Sequence, residues 1–273
     1  PRMEVAGASL ATIISQAVAF IMAASIILKG NQYLYLNLKE KFKPNIEYIK
    51  SIFNIGFPAM LEQLLMRVGV IIYSKTVASL GTLAFATHQV CLNIQSLSLM
   101  NGQAFAVPAT SLMGQSLGKK RPDMAHSYCT RTRRLGLMVS IIIGVLFILF
   151  GERIVALYTN DPAVIKEGAR ILKLIALIQP FQCSQLILSG ALRGAGDTTI
   201  PMFITLFSLW IIRVPLAYIL SSSYVGLGIN GVWWAIPLGW LFGCLFSYLY
   251  YLSGKWKNKV ITKPINVVFE DTI

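Results

Sequence analysis

Residues 126–150 of the chain, HSYCTRTRRLGLMVSIIIGVLFILF, place a cluster of arginines before sixteen residues that carry no charge. A helix needs about 20 apolar residues to cross the hydrocarbon core of a bilayer. Seven stretches, each rich in Leu, Ile, Val, Phe and Ala, meet this requirement: 5–28, 52–79, 84–117, 126–150, 163–192, 199–220 and 228–252. The sequence therefore predicts an all-α polytopic membrane protein with seven transmembrane helices.

The composition favours lipid over water as the medium around the chain. Of the 273 residues, 55% are hydrophobic and 13% are charged, and the mean hydropathy is +0.64. An average soluble domain is about 45–50% apolar and about 25% charged, so this chain has too few charges to cover a globule. The net charge of +13 would suit a nucleic-acid binder. The basic residues lie between apolar runs rather than in one patch, which argues against that class.

Lys and Arg are divided unequally between the two sets of loops. The loops 29–51, 118–134 and 193–198 and the tail from 253 hold sixteen of them, whereas the opposite set holds four. The excess of Lys and Arg marks the cytoplasmic side of a membrane protein. We therefore expect a multi-pass protein of the plasma membrane, with the N-terminus of the chain outside and the C-terminus in the cytoplasm.

Two helix starts share a pattern that indicates an internal repeat. VAGASLA at 5–11 and INGVWWA at 229–235 each place a hydrophobic residue two before Gly and Ala four after it. Their offset of 224 residues is about the length of six spans, as two parallel repeats of six would require. The expected domains are the last helix of a first bundle (1–28), a cytoplasmic linker (29–51), a six-helix bundle (52–252) and a cytoplasmic tail (253–273). The other helices of the first bundle would lie outside this chain.

Glu62 is the only acidic residue deep in a predicted span, about 15 Å from its start at about 1.5 Å per residue. A carboxylate at that depth is costly in lipid and is by default a functional candidate. It could take up a proton or hold Na⁺ transiently, and Pro58, one turn earlier, frees a backbone carbonyl and kinks the helix. The alternative is a structural ion pair or hydrogen bond. We interpret Glu62 as the cation-coupling candidate.

Other polar residues within the spans predict either a substrate cavity or hydrogen bonds between helices. Gln179, Gln182 and Gln185 recur every three residues, and Gln89 and Asn93 lie one turn apart. Both interpretations stay open for these residues. The full set of cavity candidates is Gln63, Met66, Arg67, Gln89, Asn93, Gln179 and Gln182.

Two arginines lie deep in predicted spans. Arg67 is about 140° around the helix from Glu62, so we expect it to reach a neighbouring helix rather than to form an intrahelical ion pair. Arg213, beside Pro215, is expected to satisfy backbone carbonyls that proline leaves free.

A further set of residues is predicted to shape or end helices. The spacing of Gly114 and Gly118 allows two helices to approach closely. Glycines in the segment 193–198 are expected to end one helix, and Asp197 or Thr198 to cap the next. The full structural set is Pro58, Pro108, Gly114, Gly118, Arg193, Gly194, Gly196, Asp197, Arg213 and Pro215.

The chain lacks the motifs of common catalysts and receptors. It has no HExxH, GxSxG, CxxC or Walker motif, so it predicts no enzyme, no cofactor and no resident metal beyond a transient coupling Na⁺. A seven-helix receptor would share the expected topology. However, Asp-Arg-Tyr and Asn-Pro-x-x-Tyr elements are absent from the sequence.

Several stretches follow one another in the order of a known family signature. They are NGQAFAVPAT at 101–110, GQSLG at 114–118, ALRGAGDTTIP at 191–201, and shorter matches at 5–8, 56–58, 156–161 and 210–215. Together they resemble the multidrug and toxic compound extrusion (MATE) transporters. The resemblance implies two bundles of six helices, with 5–28 as the sixth helix. It implies a secondary antiporter that exports cationic, amphipathic drugs in exchange for Na⁺ or H⁺. A flippase for lipids or oligosaccharides of the same superfamily is the alternative.

Two positions depart from that resemblance. Many MATE members carry an acid in the seventh helix where this chain has Met66, and Glu62 lies one turn earlier on the same face. Many also carry an acid in the tenth helix where this chain has Gln182. The departures imply that cation coupling lies mainly in the first bundle, outside this chain.

Overall fold

The computed structural model describes residues 4–28, 46–221 and 228–258. The chain forms two compact units, Pro1–Lys50 and Ser51–Ile273. Most of the predicted linker and most of the predicted tail lie outside the described residues, so both stay predictions. The last residues of the predicted linker, 46–51, are helical, because the helix begins before its apolar run.

The described residues form helices and no strand, which confirms the all-α prediction. The helices are α1 (Glu4–Leu28), α2 (Ile46–Ala78), α3 (Thr82–Gly118), α4 (Pro122–Ala156), α5 (Pro162–Gly194), α6 (Thr199–Leu206), a π-helix (Phe207–Arg213), α7 (Val214–Ser221) and α8 (Gly228–Leu252). A short 3₁₀-helix at Lys255–Asn258 follows α8. Each predicted span is helical, and α6, the π-helix and α7 together form the sixth.

The first unit contains α1, whose 25 residues are enough to cross a bilayer. Large apolar side chains on opposite sides of this helix, such as Ile13 and Met22, are exposed. A helix that is apolar on all sides suits a lipid environment or a protein core.

In the second unit, α5 is the central helix and packs against α3, α4 and α8. Its apolar residues contribute to two buried clusters. Ile171, Leu172 and Ile175 belong to one, and Ile187 and Leu188 belong to the other, further along α5. The interior of the bundle is therefore organised around α5, which also carries the predicted polar stripe.

Prolines lie inside several helices without ending them. α2 continues across Pro58 and α3 across Pro108. The π-helix ends just before Pro215, and the Val214 N–H donates to the carbonyl of Leu209, five residues earlier. Because Pro215 has no N–H, the regular α-helical bonding cannot continue there, and this segment uses the wider i→i+5 pattern.

Six helical segments in the described part of the chain are long and apolar enough to cross a membrane. They are Ser9–Leu28, Ile52–Ala78, Pro122–Ala156, Pro162–Gly194, Thr199–Leu220 and Asn230–Leu252. α3, which covers the predicted span 84–117, has the required length but is not among these six apolar segments. The exposed surfaces of α2 and α4 carry many large apolar side chains, as expected for helices that contact lipid.

Candidate functional site

Three glutamines of α5 lie in the interior of the bundle. Gln179, Gln182 and Gln185 are each at most 4% exposed. The Oε1 atom of Gln179 accepts a hydrogen bond from Ser98 on α3. Among the described residues, the Nε2 atoms of Gln179 and Gln182 and the Oε1 atom of Gln185 have no hydrogen-bond partner. Gln179 thus joins two helices, while all three present unpaired polar atoms to the interior.

The other cavity candidates lie on different sides of their helices. Met66 is half-buried and lines a small cavity inside the bundle. Gln63 and Arg67 on α2 are exposed, and so are Gln89 and Asn93 on α3. The structure does not bring these four polar side chains together with the buried glutamines of α5. Successive residues of a helix point about 100° apart. Gln63 can therefore be exposed although Glu62, the residue before it, is buried.

Glu62 is held by Arg193, a pairing that the sequence did not predict. The Nη2 atom of Arg193 lies 2.8 and 2.7 Å from the two carboxylate oxygens of Glu62. The side chain of Glu62 is 4% exposed and that of Arg193 is 36% exposed. The sequence singled out both residues for separate reasons, but no local pattern connects positions 131 residues apart.

The same pair relates Glu62 to the end of a neighbouring helix. Arg193 is the penultimate residue of α5, so the ion pair connects α2 at Glu62 to the last turn of α5. The number of residues from the start of an apolar run gives a distance along one helix. It does not give the offset of that helix relative to the neighbouring helices, because that offset is set by packing.

The segment after Arg193 forms a glycine-dependent turn that ends α5. Gly196 has φ +86°, and its N–H donates to the carbonyl of Arg193 over 2.9 Å. The N–H of Asp197 donates to the carbonyl of Leu192 over 3.0 Å. These two bonds define a Schellman motif, in which glycine is favoured at the left-handed position.

Asp197 connects this turn to the next helices. Its Oδ1 atom accepts a hydrogen bond from the N–H of Ile200 over 3.4 Å, and its Oδ2 atom accepts one from the hydroxyl of Tyr250 over 2.5 Å. Thr198, the alternative cap, makes no side-chain capping bond. Asp197 therefore ties the start of α6 to α8.

α3 and α5 approach closely at two glycines of α5. A Cβ added at Gly190 would lie 2.7 Å from the carbonyl oxygen of Ala106, and one at Gly194 would overlap the carbonyl of Thr110. The Thr110 hydroxyl lies 2.8 Å from the carbonyl oxygen of Gly190, to which it donates. Backbone-to-backbone contact here requires the absence of side chains.

The glycine pair that the sequence singled out plays a smaller part in this contact. A Cβ at Gly114 would lie 3.2 Å from the carbonyl oxygen of Gly194, whereas one at Gly118 would meet nothing within 4 Å. The same four-residue spacing recurs at Gly190 and Gly194, where it brings the two backbones into contact.

A buried aromatic cluster joins the C-terminal part of α2 to the N-terminal parts of α3 and α8. The ring centre of His88 lies 5.7 Å from that of Tyr73 and 5.2 Å from that of Trp233. The Tyr73 hydroxyl donates to the carbonyl of Val232. The guanidinium carbon of Arg213 lies 4.9 Å from the centre of the Tyr73 ring. The sequence predicted backbone carbonyls as the partners of Arg213 and did not predict this aromatic contact.

An apolar cavity of about 850 Å³, widely open to the surface of the bundle, lies beside α2, α6, the π-helix and α8. Leu65 of α2, Phe207 and Trp210 of the π-helix, and Phe246 and Tyr250 of α8 are among the residues that line it. Its volume is in the range of drug-sized ligand pockets. Among the described residues that line it, none is a predicted cavity candidate.

Comparison with known proteins places this arrangement in a family. The MatE family model matches residues 58–219, which run from α2 into α7. A probable multidrug resistance protein NorM of Thermotoga maritima is 30% identical over 261 residues, covering 96% of this chain and 56% of the relative. The uncharacterized transporter YisQ of Bacillus subtilis is 28% identical, covering 95% of this chain and 56% of the relative.

Solved structures share the fold. A crystal structure of MATE in the bent conformation has a TM-score of 0.84 at 22% identity, covering 96% of this chain and 58% of its own. An outward-facing multidrug resistance MATE family transporter has a TM-score of 0.84 at 21% identity, covering 92% and 56%. The chain spans little more than half the length of these relatives. With the family match and the all-α membrane fold in agreement, the chain belongs to the MatE family.

Proposed function

We propose that the chain is the C-terminal part of a secondary antiporter that exports cationic, amphipathic compounds in exchange for Na⁺ or H⁺. The observation that carries this proposal is the 30% identity to a probable multidrug resistance protein over 96% of the chain. Because the relatives are nearly twice as long, the remaining helices of a first bundle would complete the transporter in the same polypeptide.

The exposed polar residues have a role in this proposal. Gln63, Arg67, Gln89 and Asn93 are exposed on α2 and α3, where polar side chains facing lipid would be unfavourable. In the complete transporter we propose that they face a polar cavity rather than lipid, where small organic cations would bind.

Glu62 is the proposed site of cation coupling within this chain. Its carboxylate is buried and has one positive partner, Arg193. A proton or Na⁺ that binds Glu62 would replace the guanidinium as the countercharge, and release of Arg193 would favour a different conformation. Such an exchange links ion binding at α2 to the end of α5.

The protein is proposed to lie in the plasma membrane with its C-terminus in the cytoplasm. The support is the excess of Lys and Arg on the loops 29–51, 118–134 and 193–198 and on the tail.

The test is efflux of ethidium, a fluorescent organic cation, from energised bacterial cells that express the full-length protein. We expect Glu62→Gln to lower the rate of efflux about tenfold or more, because the amide cannot bind a proton or Na⁺ as the carboxylate does. Comparing a sodium gradient with a pH gradient in vesicles then identifies the coupling ion.

Glu152→Gln is the matched control, because Glu152 is an exposed carboxylate on α4 and efflux should not change. No ethidium efflux from the native protein would contradict the proposed substrate class. Native rates in Glu62→Gln at equal expression would remove Glu62 from the coupling mechanism.

A further inference from the structure

A small cavity lies inside the bundle, between α2, α5, the π-helix and α8. Its volume is about 40 Å³, and the polar residues Thr205 of α6, Gln185, Ser208, Arg213 and Trp240 line it together with Met66, Leu209 and Gly239. That volume holds about two or three water molecules or one monatomic anion. It is separate from the apolar cavity that Leu65 and Trp210 line.

Four polar atoms on the residues that line this cavity lack hydrogen-bond partners. Within the described residues, no partner exists for Gln185 Oε1, Ser208 Oγ, Arg213 Nε or Trp240 Nε1, although all four atoms are buried. Buried polar atoms in proteins are satisfied in the great majority of cases. Four unsatisfied atoms around one cavity therefore indicate that something with polar character occupies it.

The charge of the lining indicates the sign of the occupant. Arg213 contributes a positive charge, and no described carboxylate forms an ion pair with it. Arg213 Nε, Trp240 Nε1 and Ser208 Oγ are all donors. The amide of Gln185 can turn to present its N–H groups as well, because its two ends are nearly indistinguishable in shape. A set of donors around a cation that has no carboxylate partner among the described residues suits an anion.

The local backbone creates this arrangement. In an α-helix, residues five apart point about 140° away from each other. The i→i+5 bonding of the π-helix brings Ser208 and Arg213 towards one side, and both line the cavity. On α8, a Cβ at Gly239 would lie 3.2 Å from the Cβ of Arg213, and one at Gly243 would overlap the amide of Gln185. The two glycines leave room for these side chains.

We propose that this cavity is a binding site for a monatomic anion of chloride size, held by Arg213, Trp240 Nε1, Ser208 Oγ and the amide of Gln185. The anion supplies a negative charge beside a partly buried guanidinium that has no ion-pair partner among the described residues. The site connects α5, the π-helix and α8 around one charge. This assignment does not depend on the proposed transport function, because anion binding can be measured without transport.

The test is the melting temperature of the full-length protein, purified in detergent, as NaCl replaces sodium gluconate at constant sodium concentration. Gluconate is too large for the cavity, so chloride and bromide should raise the melting temperature in a saturable way. A hydrogen bond to a charged group contributes enough that Trp240→Phe and Ser208→Ala should each weaken the apparent chloride affinity about tenfold. Arg213→Gln should abolish the response.

Trp210→Phe is the matched control, since its indole nitrogen is also unpartnered among the described residues but lines the apolar cavity. Its chloride response should equal that of the native protein. If Arg213→Gln does not fold, Trp240→Phe and Ser208→Ala decide the question. A bromide-soaked crystal should show an anomalous peak beside Arg213.

Three outcomes would overturn the assignment. They are a melting temperature that does not respond to halides, an unchanged chloride affinity in both Trp240→Phe and Ser208→Ala, and protection by acetate without protection by chloride.

Discussion

At the scale of single residues, the Glu62–Arg193 pair is a contact whose contribution to stability can be measured. Arg193→Met would leave the carboxylate of Glu62 buried without a countercharge, since no other ion pair to Glu62 exists among the described residues. Removing one partner of a buried pair costs about 3–5 kcal/mol, and the partial exposure of Arg193 favours the lower end of this range. We expect a clearly lower melting temperature, measured by size-exclusion chromatography after heating.

The double variant Glu62→Gln/Arg193→Met should recover much of that loss, because no charge stays buried. Arg67→Met is the control, since Arg67 is an exposed arginine of α2 and its loss should change little. Equal melting temperatures for the native protein and Arg193→Met would show that the pair does not contribute to stability.

Residue-level prediction from the sequence succeeded where one residue was unusual and failed where two had to meet. Glu62 stands out because acids are rare within apolar helices, and Arg193 stands out because it lies in a motif. Their pairing depends on the packing of α2 against the end of α5. Tyr73, Trp233 and Trp240 were missed because aromatic residues are ordinary in a membrane helix.

At the scale of helices, the crossing of α3 and α5 is set by glycine. Gly194→Ala would place a methyl group against the carbonyl of Thr110, and backbone atoms cannot move aside as a flexible side chain can. Overpacking of this kind typically costs about 1–3 kcal/mol or more. We expect less folded protein and a lower melting temperature in detergent.

Gly118→Ala tests the opposite case in the neighbouring helix, because a Cβ there meets nothing within 4 Å. Its melting temperature should stay at the native value. A normal melting temperature in Gly194→Ala would mean that the two helices separate without cost at this crossing.

The positions of the helices followed closely from apolar runs, but two of their features did not. α2 begins at Ile46, six residues before its predicted start, because its first turns are polar and do not belong to the apolar run. In the π-helix at Phe207–Arg213, i→i+5 hydrogen bonds replace the usual i→i+4 bonds of an α-helix. The hydrophobicity of a stretch does not distinguish these two bonding patterns. The sequence feature that indicated a local change of helix geometry was Pro215.

At the scale of the whole molecule, the asymmetry of Lys and Arg predicts the orientation. A green fluorescent protein fused after Ile273 should fluoresce, because the tail is expected in the cytoplasm, where this reporter folds. Alkaline phosphatase fused at the same position should be inactive. The reverse pattern would contradict the proposed orientation.

Family membership and the membrane fold could be predicted from the sequence because several motifs occur in order along it. The grouping of polar residues could not, because the same residue types occur on exposed and buried faces. Gln89 and Gln179 are chemically identical, yet one is exposed and the other is 2% exposed. Only the packed helices distinguish them.

The attachment of α2 has a mechanical consequence. Glu62 and Tyr73 bond to other helices at points about 16 Å apart along α2, at about 1.5 Å per residue. Between them, Gly69 lies against the side chain of Leu209, and Leu65 borders the large apolar cavity. The helix is thus held at Glu62 and Tyr73 and packed at Gly69, and the large apolar cavity lies beside Leu65, between Glu62 and Gly69. If the Glu62–Arg193 ion pair alone is broken, α2 keeps its attachment at Tyr73 and can tilt about that point.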